Sequence, residues 1–195
     1  ARAVLAALSH GKAGVRCRAA KLLPEVITDS DFLIESEIVS MSHECRRQLL
    51  RSVVITRRQD WAERLLPLVL DSWGGHEAAT LLAACSEETA RGRLPELGYG
   101  VLNWKMLTQR HPDIVADYFH DVLQKATQRE KTFVWWRFSS AIEMLCALKS
   151  SIVLECALEH GPMDVLHPVL RSRLGMLMEE SSEGVFKLLT REGIF

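Results

Sequence analysis

The stretch MLTQRHPDIV (Met106–Val115) returns 38 positions later as MLCALKSSIV (Met144–Val153). In both, a Met-Leu pair and an Ile-Val pair bracket six more variable residues. A weaker echo follows at an offset of 32: Leu145 pairs with Leu177, Val153 with Val185, Leu154 with Phe186 and Gly161 with Gly193. Self-similarity at this period marks helix pairs stacked side by side. One pair cannot bury its apolar stripe alone, so the next pair must cover it.

Working outward, the rest of the chain reads as helix. Towards the N-terminus, Val15, Ala19, Leu22 and Val26 recur at helical spacing and give the expected buried stripe of an amphipathic helix after Gly11 and Gly14. Ser30 or Asp31 can cap a short helix through residue 39, and Ser42 can cap a helix over residues 43–55 with Leu49, Leu50, Val53 and Val54 on its apolar face. Residues 60–73 form a helix that Pro67 should kink or shorten and that Gly74-Gly75 ends. A further helix covers 76–85. Gly92, Pro95, Gly98 and Gly100 punctuate 86–100, which holds one short helix. Residues 101–110 are helical. His111-Pro112 sets a boundary, and Pro112 suits the first turn of a helix that runs to about residue 127. Residues 130–148 give the longest helix. Ser150 or Ser151 caps a short one through 159, and 163–178 and 182–191 complete a set of 11 to 13. Period-2 alternation and Asn-Gly or Asp-Gly hairpin signals are absent.

The string VRCRAAKLL (Val15–Leu23) resembles the inner helix of a HEAT repeat, with Gly14 where that motif often carries Asp. WGGHEAATLLAAC (Trp73–Cys85) and NWKMLTQRHP (Asn103–Pro112) are similar to stretches of large HEAT-like repeat proteins. The resemblance implies an all-α fold: a right-handed α-solenoid of roughly five stacked HEAT-like helix pairs. Residues 1–195 would form one array, expected to be a segment of a longer protein. The resemblance assigns no functional residue.

Composition narrows the function classes. Apolar residues make up 48 % and the net charge is −1, so no overall field draws the chain to nucleic acid or to an acidic membrane. No apolar run approaches the 18 or so residues of a membrane span. Cys17, Cys45, Cys85, Cys146 and Cys156 are odd in number and contain no C-x-x-C, which reads as reduced, buried thiols in a cytoplasmic protein. No phosphate loop, nucleophile elbow or paired metal-ligand spacing occurs, so no cofactor and no metal are expected. His43-x-Cys45 reads as structural, since positions two apart on a helix point in different directions, and His76-Glu77 reads as a helix start after the Gly74-Gly75 turn, with Glu77 favoured by the helix dipole.

Two runs stand out as surfaces. Arg46, Arg47, Arg51, Arg57, Arg58 and Arg64 fall within 19 residues, with only Asp60 and Glu63 as acids between them. Arginine forks suit phosphate or carboxylate. Ion pairing with neighbours such as Glu35 and Glu37 is the structural alternative. Trp135-Trp136-Arg137 is the second run. Adjacent helical residues point about 100° apart, so at most one Trp faces the deepest core. Core packing of both is the favoured reading, and an exposed Trp beside Arg137 would suit a protein partner. Such a Trp could also stack a base, as in helical-repeat DNA glycosylases. The expected function is a non-enzymatic scaffold that binds a protein or peptide through a concave surface, with Arg47, Arg51, Arg58, Trp135 and Arg137 as contact residues. The alternative is a nucleic-acid-binding or base-processing protein that uses the Arg46–Arg64 cluster.

Overall fold

The computed structural model describes residues 2–27, 38–72, 75–98, 104–160 and 168–191. Among these, fourteen α-helices account for the regular structure and no strand occurs. The chain divides into two compact units, Ala1–Asn103 and Trp104–Phe195.

The first unit holds α1 (Arg2–Leu8), α2 (Ala13–Val26), α3 (His43–Ile55), α4 (Gln59–Ser72), α5 (Gly75–Leu82) and α6 (Glu87–Leu97). Packing runs in series: α1 on α2, α2 on α3, α3 on α4 and α5, and α5 on α4 and α6. The α3 face is the expected one, with Leu49, Leu50, Val53 and Val54 all buried. The α2 face is not. Val15 and Val26 are exposed, and the buried line is Ala19, Ala20 and Leu23, continued by Ile27. Two apolar lines lie side by side on this helix, and the exposed Arg18, Lys21 and Glu25 mark only the opposite side. The small Ala19-Ala20 pair lets α3 approach closely, which decides between them.

The expected helix over 86–100 is longer and better capped than its glycines suggest. Ser86 accepts a hydrogen bond from the Thr89 N–H, and Glu87 and Glu88 occupy the first turn. Gly98, at φ 63°, ends the helix. α4 runs on past Pro67 rather than stopping there. The expected short helix before residue 39 lies mostly outside the described residues, as do Trp73 and Gly74.

The second unit holds α7 (Trp104–Arg110), α8 (Pro112–Lys125), α9 (Gln128–Arg137), α10 (Ser139–Leu148), α11 (Ser150–His160), α12 (Pro168–Ser172), α13 (Leu174–Glu180) and α14 (Ser182–Arg191). Here the repeated phrase has a direct structural meaning. α7 packs on α8, α10 on α11 and α13 on α14; between these pairs α7 meets α10, α8 meets α11, α10 meets α13 and α11 meets α14. Leu107, Leu145 and Leu177 are buried at matching places on α7, α10 and α13. Val115, Val153 and Val185 do the same on α8, α11 and α14. The echo fails at its last described pair: Leu154 is buried, whereas Phe186 is 58 % exposed. Gly161 and Gly193 lie outside the described residues.

The single helix expected over 130–148 is two helices. Phe138, at φ −88° and ψ 5°, separates α9 from α10. Its ring stacks on Trp104 at 4.2 Å between centroids and lies 5.0 Å from Phe119. The bend keeps the ladder largely intact: the Phe138 N–H reaches Val134 O at 2.9 Å, and Phe138 O accepts from Ile142 N–H at 2.8 Å. Neither Gly nor Pro marks the break, so it follows from where the ring must go. Arg173, at φ −117° and ψ 10°, likewise splits the helix expected over 163–178. Residues 163–167 of that span lie outside the described ones.

Candidate partner-binding surface

The arginine run does not form one surface. α3 begins at His43 after a turn whose carbonyls point outward, and Arg46 turns back to them: its Nε donates to Met41 O at 2.8 Å and its Nη2 to Val39 O at 3.1 Å. Arg58 is committed more heavily. Its Nη1 donates to Pro24 O at 2.7 Å and Ile27 O at 3.2 Å, satisfying carbonyls at the end of α2. Its Nε and Nη2 fork onto both carboxylate oxygens of Asp60 at 2.8 and 2.6 Å. That hydrogen-bonded pair holds the Asp60 carboxyl below the usual carboxylate range and pushes the Arg58 guanidinium up. Arg58, expected as a partner contact, therefore acts as a structural clamp whose donors are engaged within the chain. Arg47 and Arg51 do share the exposed side of α3, with Arg47 3.4 Å from Glu44.

The tryptophan pair divides as helix geometry requires: core packing, the favoured reading for both, holds for Trp135 alone, and Trp135 is therefore not the contact residue expected. Trp135 has no exposed surface. It meets Phe119 edge-on at 5.1 Å, and its Nε1 donates to His160 O at 3.0 Å. It is core, so it cannot serve as a surface contact. Trp136 is the exposed member at 55 %. With Phe133, 47 % exposed, and Arg137 it makes one face of α9, since positions i, i+3 and i+4 coincide. The Arg137 guanidinium lies over the Phe133 ring, 4.6 Å from its centre.

A feature that neither the arginine nor the tryptophan run marks lies across α7, α10 and α13. A groove of about 480 Å³ is lined by Lys105 and Gln109 of α7, by Met144 and Leu148 among others of α10, and by Arg173 and Met176. Leu148 and Met176 are exposed apolar side chains, while Arg173 is pinned to Glu143. The signal that could have found it is the repeat itself, because corresponding positions of successive helices face one side.

The same register brings together a second set that sequence reasoning missed. The 38-residue offset places His120 of α8 opposite Leu158 of α11, beside Glu159 and His160. Their ligand atoms all lie within 4.8 Å of one another. The Glu159 carboxylate is 3.5 Å from His160 Nε2 and 3.8 Å from His120 Nε2. A metal ion could in principle use these three groups. However, Lys131 Nζ lies 3.3 Å from His160 Nδ1; an ammonium only donates, so Nδ1 accepts that hydrogen bond and a neutral ring carries its proton on Nε2. A metal-ligating imidazole needs the opposite arrangement, with its second nitrogen donating to an acceptor. Burial, then the Lys131 charge, also holds His160 below the ordinary imidazole range. The cluster is better described as a neutral His160 clasped between Lys131 and Glu159.

His43 and Cys45 diverge. His43 is exposed and 3.3 Å from Glu77, while Cys45 is buried. His76 is exposed, and its neighbour Glu77 is thus engaged with His43. No helix among the described residues is long and apolar enough to cross a membrane. Comparison with known proteins finds no family model, no curated protein and no solved structure that matches the chain.

Proposed function

We propose that the protein is a non-enzymatic helical-repeat scaffold, a HEAT-like solenoid, that binds a protein or peptide along the exposed side of its successive first helices. The observation that carries this reading is the groove across α7, α10 and α13. It runs over equivalent helices of three consecutive pairs, so its length grows with the repeat and not with any one element. Its lining mixes apolar side chains (Met144, Leu148, Met176) with polar ones (Lys105, Gln109, Glu143), so a peptide could place apolar anchors and exchange hydrogen bonds beside them. The serial packing of helix pairs, with the repeated Leu and Val positions buried in each, supports the solenoid that the reading requires. The nucleic-acid reading is weakened, because Arg46 and Arg58 spend their guanidinium groups on carbonyls of their own chain.

A photo-crosslinking residue at position 148, compared with one at the exposed Lys187 on α14, tests the proposal in extract from the source cells. A discrete protein adduct at 148 that is absent at 187 is expected. Equal labelling at both positions, or an adduct removed by nuclease, overturns it. Binding of duplex DNA and single-stranded RNA should be undetectable even at about 20 mM salt, where phosphate contacts are strongest.

A further inference from the structure

Cys17 lies in the second turn of α2 and Cys45 in the first turn of α3, on two helices that pack against each other. Their sulfur atoms are 2.9 Å apart. That is less than about 1 Å beyond the length of a disulfide bond. Cys85, by contrast, donates to Leu81 O at 3.4 Å, and Cys146 and Cys156 are buried thiols on separate helices of the other unit. We propose that Cys17 and Cys45 form a dithiol site that reacts with low-molecular-weight disulfides of the glutathione class and closes reversibly to an intramolecular disulfide.

Access and chemistry agree with this. Cys17 is half-buried, so the pair is not sealed. A small cavity of about 90 Å³ opens onto Cys45 between Leu8, Arg16 and Ser42. The Arg16 guanidinium is fixed in its wall by the carbonyls of His10 and Gly11 at 2.7 and 2.9 Å. It presents positive charge to a disulfide that carries carboxylates. The cavity delivers the incoming sulfur to Cys45. Cys45 loses its proton to water, its thiolate attacks the disulfide, and one small thiolate leaves with an electron pair and takes up a proton. Cys17 then loses its proton and attacks the Cys45 sulfur of the mixed disulfide, expelling the second thiolate. Two protein thiols are oxidised by two electrons in all, one small disulfide is reduced, and two small thiols are released. The hydrogen bond to Cys45, then burial, pushes the Cys17 thiol up to about 11. That hydrogen bond ends once Cys45 is in the mixed disulfide; both attacks need a thiolate, so the reaction is faster in alkaline solution.

The test uses the full chain, reduced and then held for hours with oxidised glutathione at about pH 9, where more thiolate forms. Thiols are counted under denaturing conditions and the cross-link is mapped by peptide mass. The five thiols should fall to three, with one peptide joining Cys17 to Cys45 and no retained glutathione. The bridge spans 28 positions of chain and should raise the melting temperature by about 5–10 °C. Cys17→Ser should instead stop at the mixed disulfide on Cys45. Cys45→Ser should yield no bridge, and the melting temperature of each reduced variant checks that it folds. Five remaining thiols, a persistent mixed disulfide in the unaltered chain, or a bridge between any other pair overturns the proposal.

Discussion

The interiors of the two units are built differently. In the first, Leu, Val and Ala fill the space, and Trp61 is the only fully buried aromatic ring among the described residues. In the second, Trp104, Phe138, Phe119 and Trp135 are all fully buried and joined in that order by ring contacts. Cohesion in the second unit is therefore concentrated in a few large side chains. Among the described residues of the first it is spread over small ones and completed by polar ties at helix ends. Arg58 clamps α2, as described. Glu63 of α4 accepts from the Ser86 N–H at 3.1 Å, from Gln59 Nε2 at 3.1 Å and from Thr89 Oγ1 at 3.3 Å, holding the start of α6. One unit should thus break at a ring and the other at a turn.

The largest effect should come from Trp135→Ala. It empties a fully buried ring site and orphans His160 O, at about 3–5 kcal/mol in urea unfolding. Trp136→Ala, one residue away, should stay within about 0.5 kcal/mol of the parent. Equal losses at the two positions would remove the concentration of stability claimed for the second unit.

Next is Arg58→Ala, which leaves the Pro24 and Ile27 carbonyls and Asp60 without their shared donor. A loss of about 1.5–3 kcal/mol is expected, the range for hydrogen bonds to charged groups. Arg58→Lys should recover less than half of it, because an ammonium cannot span the carboxylate and two carbonyls at once. Arg51→Ala, on the exposed side of α3, should cost no more than about 0.5 kcal/mol. If Arg51 matters as much as Arg58, the run is a functional surface after all.

Acid should then separate the units. Hydrogen bonds, first from Ser86, hold the Glu63 carboxyl below its ordinary range. Its contribution is complete above about pH 4.3 and lost as pH falls from there through the depressed folded value. His160 is also depressed, by burial first. The folded state resists its protonation, so stability is complete above about pH 6.5 and declines as pH falls through the lower folded value. Hydrogen exchange resolved by residue should show α8 and α11 loosening between neutral and mildly acidic pH, before α4 and α6 respond. His160→Gln should flatten the first phase and Glu63→Gln the second. Loss of both phases at one pH would deny any difference between the units.

How much of this was legible follows from the kind of signal each feature leaves. Burial at Leu107, Leu145 and Leu177 could be read because a period repeats it three times. The break at Phe138 could not, since it is set by where the ring packs and leaves no Gly or Pro behind. Trp135 and Trp136 are chemically identical in sequence, and only the phase of α9 relative to Phe119 assigns one to the core. The Arg46–Arg64 run looked like a surface because charge usually faces water. Two of its members instead bind backbone carbonyls of their own chain, Arg46 in the turn before α3 and Arg58 at the end of α2, a role that depends on carbonyls as far as 34 positions away. The Cys17–Cys45 pair and the His120–Glu159–His160 cluster depend on helix register across 28 and about 40 positions. Only the second had a repeat to reveal it.

The smallest effect tests the turn in the first unit with the opposite sign. Arg57 sits at φ 54°, in the left-handed region, where a side chain other than Gly is strained. The turn holds it there: its N–H reaches Val54 O at 3.3 Å, and the Arg58 N–H reaches Val53 O at 3.1 Å, so α3 closes with two reversed bonds. That closure also delivers Arg58 to the end of α2, so the strain is the cost of the clamp. Arg57→Gly should relieve it. The greater freedom of Gly in the unfolded chain offsets part of the relief, leaving a net gain of about 0.5 kcal/mol. The gain should persist in an Arg58→Ala background, because it belongs to the backbone and not to the guanidinium. If it vanishes there, the clamp and not the turn sets the conformation of residue 57, and cause and effect in this corner run the other way.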